Sequence, residues 1–203
     1  DTDRSRGLGD VYKRQGMMMQ ISELVKAQGG LVLSRKETKA SGNGGCPYKR
    51  LTLRALTEDG EIDSSALEDF CASETLSHAW FASPGDVVIR LFSPLCPVVI
   101  EKGQEKLLVP SQLAILKVKD CTILLPEFLK ISLSQKEIQE KIRRIESGTT
   151  QRVVKLGTIM ELRIEVPDKE TQRRVVEMDT LCRKKERMYL KLMEQERPVS
   201  YRH

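Results

Sequence analysis

Histidine is nearly missing: the 203 residues contain two, His78 and His203. A Ser-His-Asp or Cys-His catalytic arrangement would therefore rest on His78 alone. His78 stands in SHAWF beside the single tryptophan, Trp80, and reads as a structural or exposed residue rather than a base. Aromatic residues make up 4% of the chain, so a stacking surface for single-stranded nucleic acid is poorly supplied. No two of Cys46, Cys71, Cys96, Cys121 and Cys182 have the C-x-x-C spacing of a zinc or redox site. An odd number of cysteines in a Lys- and Glu-rich chain fits reduced thiols and a cytoplasmic setting. No stretch approaches the roughly 18 apolar residues of a membrane span, and no signal-peptide pattern opens the chain.

Catalytic motifs are missing as well. There is no G-x-x-x-x-G-K-[ST] loop and no G-x-G-x-x-G. Gly42, Gly44 and Gly45 form a glycine-rich loop, but no apolar strand and helix frame it as a phosphate cradle requires. A nuclease needs clustered carboxylates for a divalent metal. Pro167-Asp168 is followed by no acid-x-Lys triplet. Pro84-Gly85-Asp86 fails likewise, because Glu101 and Glu105 are each followed directly by lysine. The Asn/Asp-Pro-Pro-aromatic loop of amino-methyltransferases does not occur. The expectation is a chain with no enzymatic activity, metal or cofactor of its own.

What is present is charge. Asp, Glu, Lys and Arg supply 31% of residues against 39% hydrophobic, with a formal net charge of +5. That balance suggests a globular core attached to a solvated element such as a long amphipathic helix. It tolerates a nucleic-acid partner and fits a merely solvated surface equally. The first fifteen residues, DTDRSRGLGDVYKRQ, have no periodicity and resemble translated adapter read-through; PVSYRH at the other end looks similar. Both tails, 1–15 and 198–203, are expected to be non-native, with Met17, Met18 or Met19 nearer the native start and the native C-terminus lying further on.

Between the tails, 16–167 reads as one α+β domain with a twisted mixed sheet and flanking helices. MMMQISELVKA is a short amphipathic stretch, followed by Gly29-Gly30 and LVLS. Residues 35–50 are polar, glycine-rich and basic, and are expected to be mostly loop. LTLRALT runs to the turn signal Glu58-Asp59-Gly60. Residues 63–71 carry a short helical signal, with Asp63 or Ser64 as cap and Leu67, Phe70 and Cys71 on one face. Pro84-Gly85-Asp86 is a turn leading into the strand VVIRLF; VVIE at 98–101 is another strand, and Lys102-Gly103 connects it to KLLVP. QLAILKV at 112–118 alternates as a strand does. From Pro126 to Glu146, Phe128, Ile131, Ile138, Ile142 and Ile145 fall at helical spacing, and Ser147-Gly148 ends the helix. MELRIEV at 160–166 is a strand with Leu162, Ile164 and Val166 inward.

Residues 168–197 contain no glycine or proline. Asp168 can cap a helix there and Glu170 suits its positive first turn. Val175, Met178, Cys182, Tyr189 and Leu192 follow three/four spacing, with Lys185 in the remaining seam position. A helix of about 30 residues reaches roughly 45 Å, longer than one small domain easily covers. Either it pairs as a coiled coil with a second helix, or it folds back on its own domain.

Five segments, in order, resemble the target-recognition domains of Type I restriction–modification specificity (S) subunits. They are Pro84 to Arg90 (a P-G-D strand start), Leu108 to Gln112 (a polar turn before the next strand), Leu125 to Leu129 (a P-x-F/Y-L helix start), Gly148 to Gln151, and Leu162 to Val176, ending in the E-x-Q-x-x-I-V-like ETQRRVV. The resemblance covers roughly 19–197. Arg163 and Glu165 depart from its usual apolar or proline positions, and a single copy of the pattern is present where complete S subunits carry two.

The resemblance implies a bacterial, non-catalytic DNA reader. The domain would read a few base pairs of duplex DNA, one half of a bipartite target. The helix would pair antiparallel with that of a second S half or of a homodimer partner, through Val175, Met178, Cys182, Tyr189 and Leu192. The same helices would dock the methyltransferase (M) and restriction (R) subunits, and the M subunits would bind S-adenosylmethionine for DNA methylation. The candidate DNA-facing residues are Arg35, Lys36, Lys39, Asn43, Lys49, Arg50, Arg90, Ser111, Gln112, Thr149, Thr150, Gln151 and Arg152. Arg suits guanine and Asn or Gln suits adenine, while lysines suit phosphates. Each could also be a solvated surface residue, and Gln151 could cap the preceding helix. Two alternatives stand beside this reading: a dimerising interaction module that never meets DNA, and a recognition region cut from a single-chain restriction–methylation enzyme.

Overall fold

The computed structural model describes residues 16–37, 46–104, 106–147 and 153–195. Its central element is an antiparallel four-stranded sheet in the order β2-β9-β6-β7: Val25–Gly29, Leu113–Val118, Val87–Arg90 and Val98–Val99. The sequence suggests alternation in β9, but Leu113, Ala114, Ile115 and Leu116 are buried in succession. The reason is that both faces of this sheet are covered. Ala114 and Leu116 join one core with Val87 and Ile89; Leu113 and Ile115 join another with Val88 and Val98.

The first core is roofed by helices. These are α1 (Ile21–Leu24), α2 (Pro126–Ser134), α3 (Lys136–Ser147) and α4 (Leu156–Met160), contributing Ile21, Phe128, Leu129, Ile138, Ile142 and Ile159. Pro126 opens α2 at its first turn, where a missing N–H costs nothing. The single helix expected over 126–146 is two helices, parted at Gln135, which is extended (φ −60°, ψ 142°). Ser132 and Ser134 hydroxyls bond back to the carbonyls of Phe128 and Lys130, a pattern that weakens a helix end. Gln139 then donates to the Leu133 carbonyl at 2.6 Å.

A second four-stranded sheet, β4-β3-β8-β5, is mixed: β3 (Cys46–Arg50) runs parallel to β8 (Leu107–Leu108) and antiparallel to β4 (Glu68–Ala72), and β5 (Phe81–Ala82) pairs with β8. Two expectations change here. Residues 46–50 are strand rather than loop. Residues 63–71 are not a helix: Asp63 caps a single 3-10 turn, Ser64–Ala66, and then β4 begins. Phe70 and Ala72 face a third core with Phe81, Leu76 and Leu108, so the inward period is two, and Cys71 points the other way.

A two-stranded ribbon joins β1 (Met17–Gln20) to β10 (Arg163–Val166), with Ile164 and Val166 buried as the alternation predicts. Arg163 and Glu165 take the exposed face. The chain then enters α5, Lys169–Gln195. Asp168 accepts the Thr171 N–H at 2.9 Å, as expected of its cap. The architecture is α+β with mixed strand pairing and a long C-terminal helix. Among the described residues no helix is long and apolar enough to cross a membrane.

Candidate nucleic-acid interface

Beside the last residue of β3 the surface opens into a groove of about 930 Å³. Its walls are Leu31–Ser34, Arg50–Arg54 and Ser65–Glu68, and Pro110, Ser111 and Gln112 lie between them. Backbone pairing puts these segments together: Leu31 donates to Val109 at 2.8 Å, Ser111 to Leu31 at 2.9 Å, and Leu51 to Leu108 at 2.9 Å. Gly30 permits the crossing, since a Cβ there would lie 2.0 Å from the Pro110 carbonyl oxygen.

Three candidates from the sequence, Arg50, Ser111 and Gln112, meet in this groove. Arg35 is exposed on the 3-10 turn Leu33–Arg35, next to the lining residue Ser34. Sequence reasoning missed Arg54, Ser34 and Thr52. Arg54 is hidden among the leucines of LTLRALT; the chain turns at 53–55, with Leu51, Ala55 and Leu56 buried and Arg54 exposed. The Thr52 hydroxyl is committed to the Ala66 carbonyl at 2.8 Å. Ser34, Arg54, Ser111 and Gln112 are exposed and carry no side-chain bond to another described residue.

Three of the candidate cations, Lys36, Lys49 and Arg50, are paired with carboxylates. Lys49 lies opposite Asp69 and Arg50 opposite Glu68 in the β3–β4 register. Lys49 meets Asp69 at 2.7 Å, Arg50 Nε donates to Glu68 at 3.0 Å, and Lys36 bonds Glu74. The Lys36 ammonium holds the Glu74 carboxyl below its ordinary range by hydrogen bond and charge. Ser65 does the same for Asp63 through its hydroxyl and N–H. Exposed pairs of this kind contribute only about 0–1 kcal/mol, so a phosphate can exchange with the carboxylates.

Arg90 is placed elsewhere. It is half-buried, its guanidinium donates to the carbonyls of Leu53 and Leu56 at 2.6 and 2.5 Å, and its Nε is buried without a partner among the described residues. It holds the 53–56 turn from beneath instead of facing solvent. Lys39, Asn43, Thr149, Thr150, Gln151 and Arg152 lie outside the described residues.

The Asp of the P-G-D segment is structural. Asp86 is buried, accepts the Ser83 N–H at 2.9 Å, and closes a turn in which Gly85 has φ +87°. The Gln of ETQRRVV, which carries no site signal in the sequence, is fully buried. Gln172 accepts the Leu125 N–H at 2.9 Å and donates to Ile123 and Pro167 carbonyls, both at 2.8 Å.

Gln172, Val176, Asp179 and Arg183 turn one face of α5 toward the body. At about 100° per residue, the Met178, Cys182, Tyr189 and Leu192 stripe lies roughly a third of a turn away. Met178 is 65%, Tyr189 57% and Leu192 53% exposed, and Cys182 is exposed too. Val175 differs from its expected stripe-mates: it packs on the main core of its own domain. Lys185 lies over the Tyr189 ring at 5.6 Å. Among the described residues no three His, Cys, Asp or Glu side chains gather as a metal site would need.

No family model and no curated relative matches the chain. Solved structures do. The HsdS subunit from Thermoanaerobacter tengcongensis superposes with a TM-score of 0.65 at 15% identity, over 88% of this chain and 45% of its own. The fold is that of Type I S subunits. A chain from a study of complex assembly and conformational transition of the type I R-M system has a TM-score of 0.62, 18% identity, and coverage of 88% and 41%. The Type I S subunit from M. genitalium has a TM-score of 0.57, 14% identity, and coverage of 93% and 44%. The motif resemblance thus extends to the S-subunit fold, carried by few identities. The chain spans less than half the length of the S subunits it matches, 41–45%.

Proposed function

We propose that this chain is one DNA-reading half of a Type I specificity subunit, without catalysis of its own. It directs methyltransferase and restriction subunits to a bipartite duplex target. The observation that carries this reading is the meeting of Arg50, Ser111 and Gln112, with Arg54 and Ser34, in one open groove of an S-subunit fold. Arg54 and Gln112 suit guanine and adenine edges, at about 1–3 kcal/mol per good bidentate pair. Arg35, Lys36, Lys49 and Arg50 serve as phosphate contacts, and Lys39, Asn43, Thr149, Thr150, Gln151 and Arg152 remain further candidates for DNA contact. The exposed stripe Met178, Cys182, Tyr189 and Leu192 pairs with the long helix of a second recognition half.

The test is a DNA-retardation titration of the chain with its methyltransferase subunit across a salt series. Replacing Lys49 and Arg50 together with alanine weakens binding and lowers the salt slope by about 0.9 for each phosphate that the chain no longer neutralises. An unchanged slope removes both residues from the interface. Failure of the wild-type complex to retard any duplex favours the dimerising module, to which the exposed stripe is equally suited.

A further inference from the structure

Helix α5 is tied to the body at two levels. The first is the Gln172 clamp at its root. The second lies about three turns further out, roughly 16 Å at 1.5 Å per residue. There Arg183 donates to the Asp59 carbonyl and, through Nε, to Asp179 at 2.7 Å. Arg187 bonds Glu61, and Lys130 of α2 donates to the Gly60 carbonyl at 3.3 Å. Three consecutive residues, Asp59, Gly60 and Glu61, are each held by a different cation.

The turn they grip is stiff. Thr57 donates to the Glu61 carbonyl at 3.0 Å, Glu61 to the Thr57 hydroxyl at 3.1 Å, and Gly60 to the Thr57 carbonyl at 3.1 Å. Gly60 is buried at φ +73°, and a Cβ there would meet Lys130 at 3.0 Å and the Pro97 carbonyl at 3.2 Å. The Arg183 and Asp179 side chains are only 22% and 25% exposed, so water screens this contact less than an ordinary surface pair. A helix held at one level pivots; held at two, it keeps one direction.

We propose that Arg183 and Arg187 are positioning residues: by gripping the 57–61 turn they set the direction in which α5 leaves the domain, and with it the spacing at which a second half-site is read. The spacing clause rests on the DNA-reading function above; the direction clause does not. None of the bracing side chains belongs to the exposed stripe, so bracing and pairing can be separated by mutation.

The experiment places spin labels at Lys26→Cys on β2 and Lys191→Cys on α5 of the full chain, with Cys46, Cys71, Cys121 and Cys182 changed to serine. Pulsed dipolar spectroscopy then reads the distance between body and helix. Arg183→Ala with Arg187→Ala loses the single narrow distance distribution. Arg187→Glu alone also loses it, and Glu61→Arg combined with Arg187→Glu recovers it, which a general folding defect would not allow. A distribution that stays narrow in the double alanine variant, or no recovery in the charge swap, overturns the brace. A second arm selects spacers from a random duplex library with the methyltransferase complex. The double alanine variant accepts a wider range of spacers than wild type, and an equally sharp preference overturns the spacing clause. If the wild-type complex selects no duplex at all, the DNA-reading function itself fails, while the distance measurement still decides the brace.

Discussion

The Gln172 side chain accepts the N–H of Leu125 at 2.9 Å, across 47 residues of sequence. Leu125 is the residue just before α2, and Gln172 lies in the first turn of α5. One amide therefore seats two helices on one another. Its NH₂ serves Ile123 and Pro167 at the same time. Gln172→Leu keeps the volume and takes the partner from three partly buried backbone groups, at about 1 kcal/mol for each hydrogen bond lost. Gln172→Glu also destabilises, because a carboxylate cannot donate to the two carbonyls. Urea denaturation reads both; wild-type stability in either variant removes the clamp.

Arg90 separates stability from DNA binding. Arg90→Met leaves the carbonyls of Leu53 and Leu56 without their donor and lowers stability by roughly 1–3 kcal/mol. Its salt dependence of DNA retardation stays that of wild type, since the guanidinium faces inward. A flattened slope in a variant of unchanged stability would return Arg90 to the interface.

The β3–β4 carboxylates compete with DNA. Asp69→Asn and Glu68→Gln release Lys49 and Arg50 from their cross-strand partners. Duplex affinity at fixed salt rises in the double variant, at little cost to the fold. Weaker binding would show that the carboxylates position the cations instead of masking them.

Lys130 carries a pH signature. Burial, and then the Arg183 guanidinium, hold its ammonium below the ordinary range. A base whose folded value is lowered binds fewer protons folded than unfolded, so stability rises with pH between the folded and the ordinary value. The cost of the buried charge is full below the folded value and fades as pH climbs through it. Lys130→Met therefore gains most over wild type near neutral pH, and the gain shrinks in alkali. Denaturation midpoints across that range decide the matter; a constant or growing gain refutes it.

Periodic elements were legible in the sequence. Asp168 as a cap, Pro126 as a helix start, Ile164 and Val166 as inward strand residues and the length of α5 all follow from local rules that tertiary structure left alone. The misreadings share a cause. Leu113–Leu116 lost its alternation because a second layer covers the far face of the sheet. Residues 68–72 became strand because β3 lies beside them. Neither partner can be known from the segment itself. The groove was half legible: Ser111 and Gln112 stand out as polar residues before a strand, whereas Arg54 reaches solvent only because the chain turns at 53–55. The inward course of Arg90 depends on carbonyls far away in sequence.

Leu113 and Ile115 belong to one core, Ala114 and Leu116 to another, on a single strand. Neither core can be dismantled while the other stays intact, because the same backbone hydrogen bonds hold both. The domain therefore melts in one calorimetric transition, with the amides of β9 among the last to exchange with solvent. The outer turns of α5 stand apart from that transition. From Lys184 to Met193 every residue is exposed, so these amides exchange sooner than those of β9, while the grip of Arg183 and Arg187 on the 57–61 turn keeps the helix in one direction.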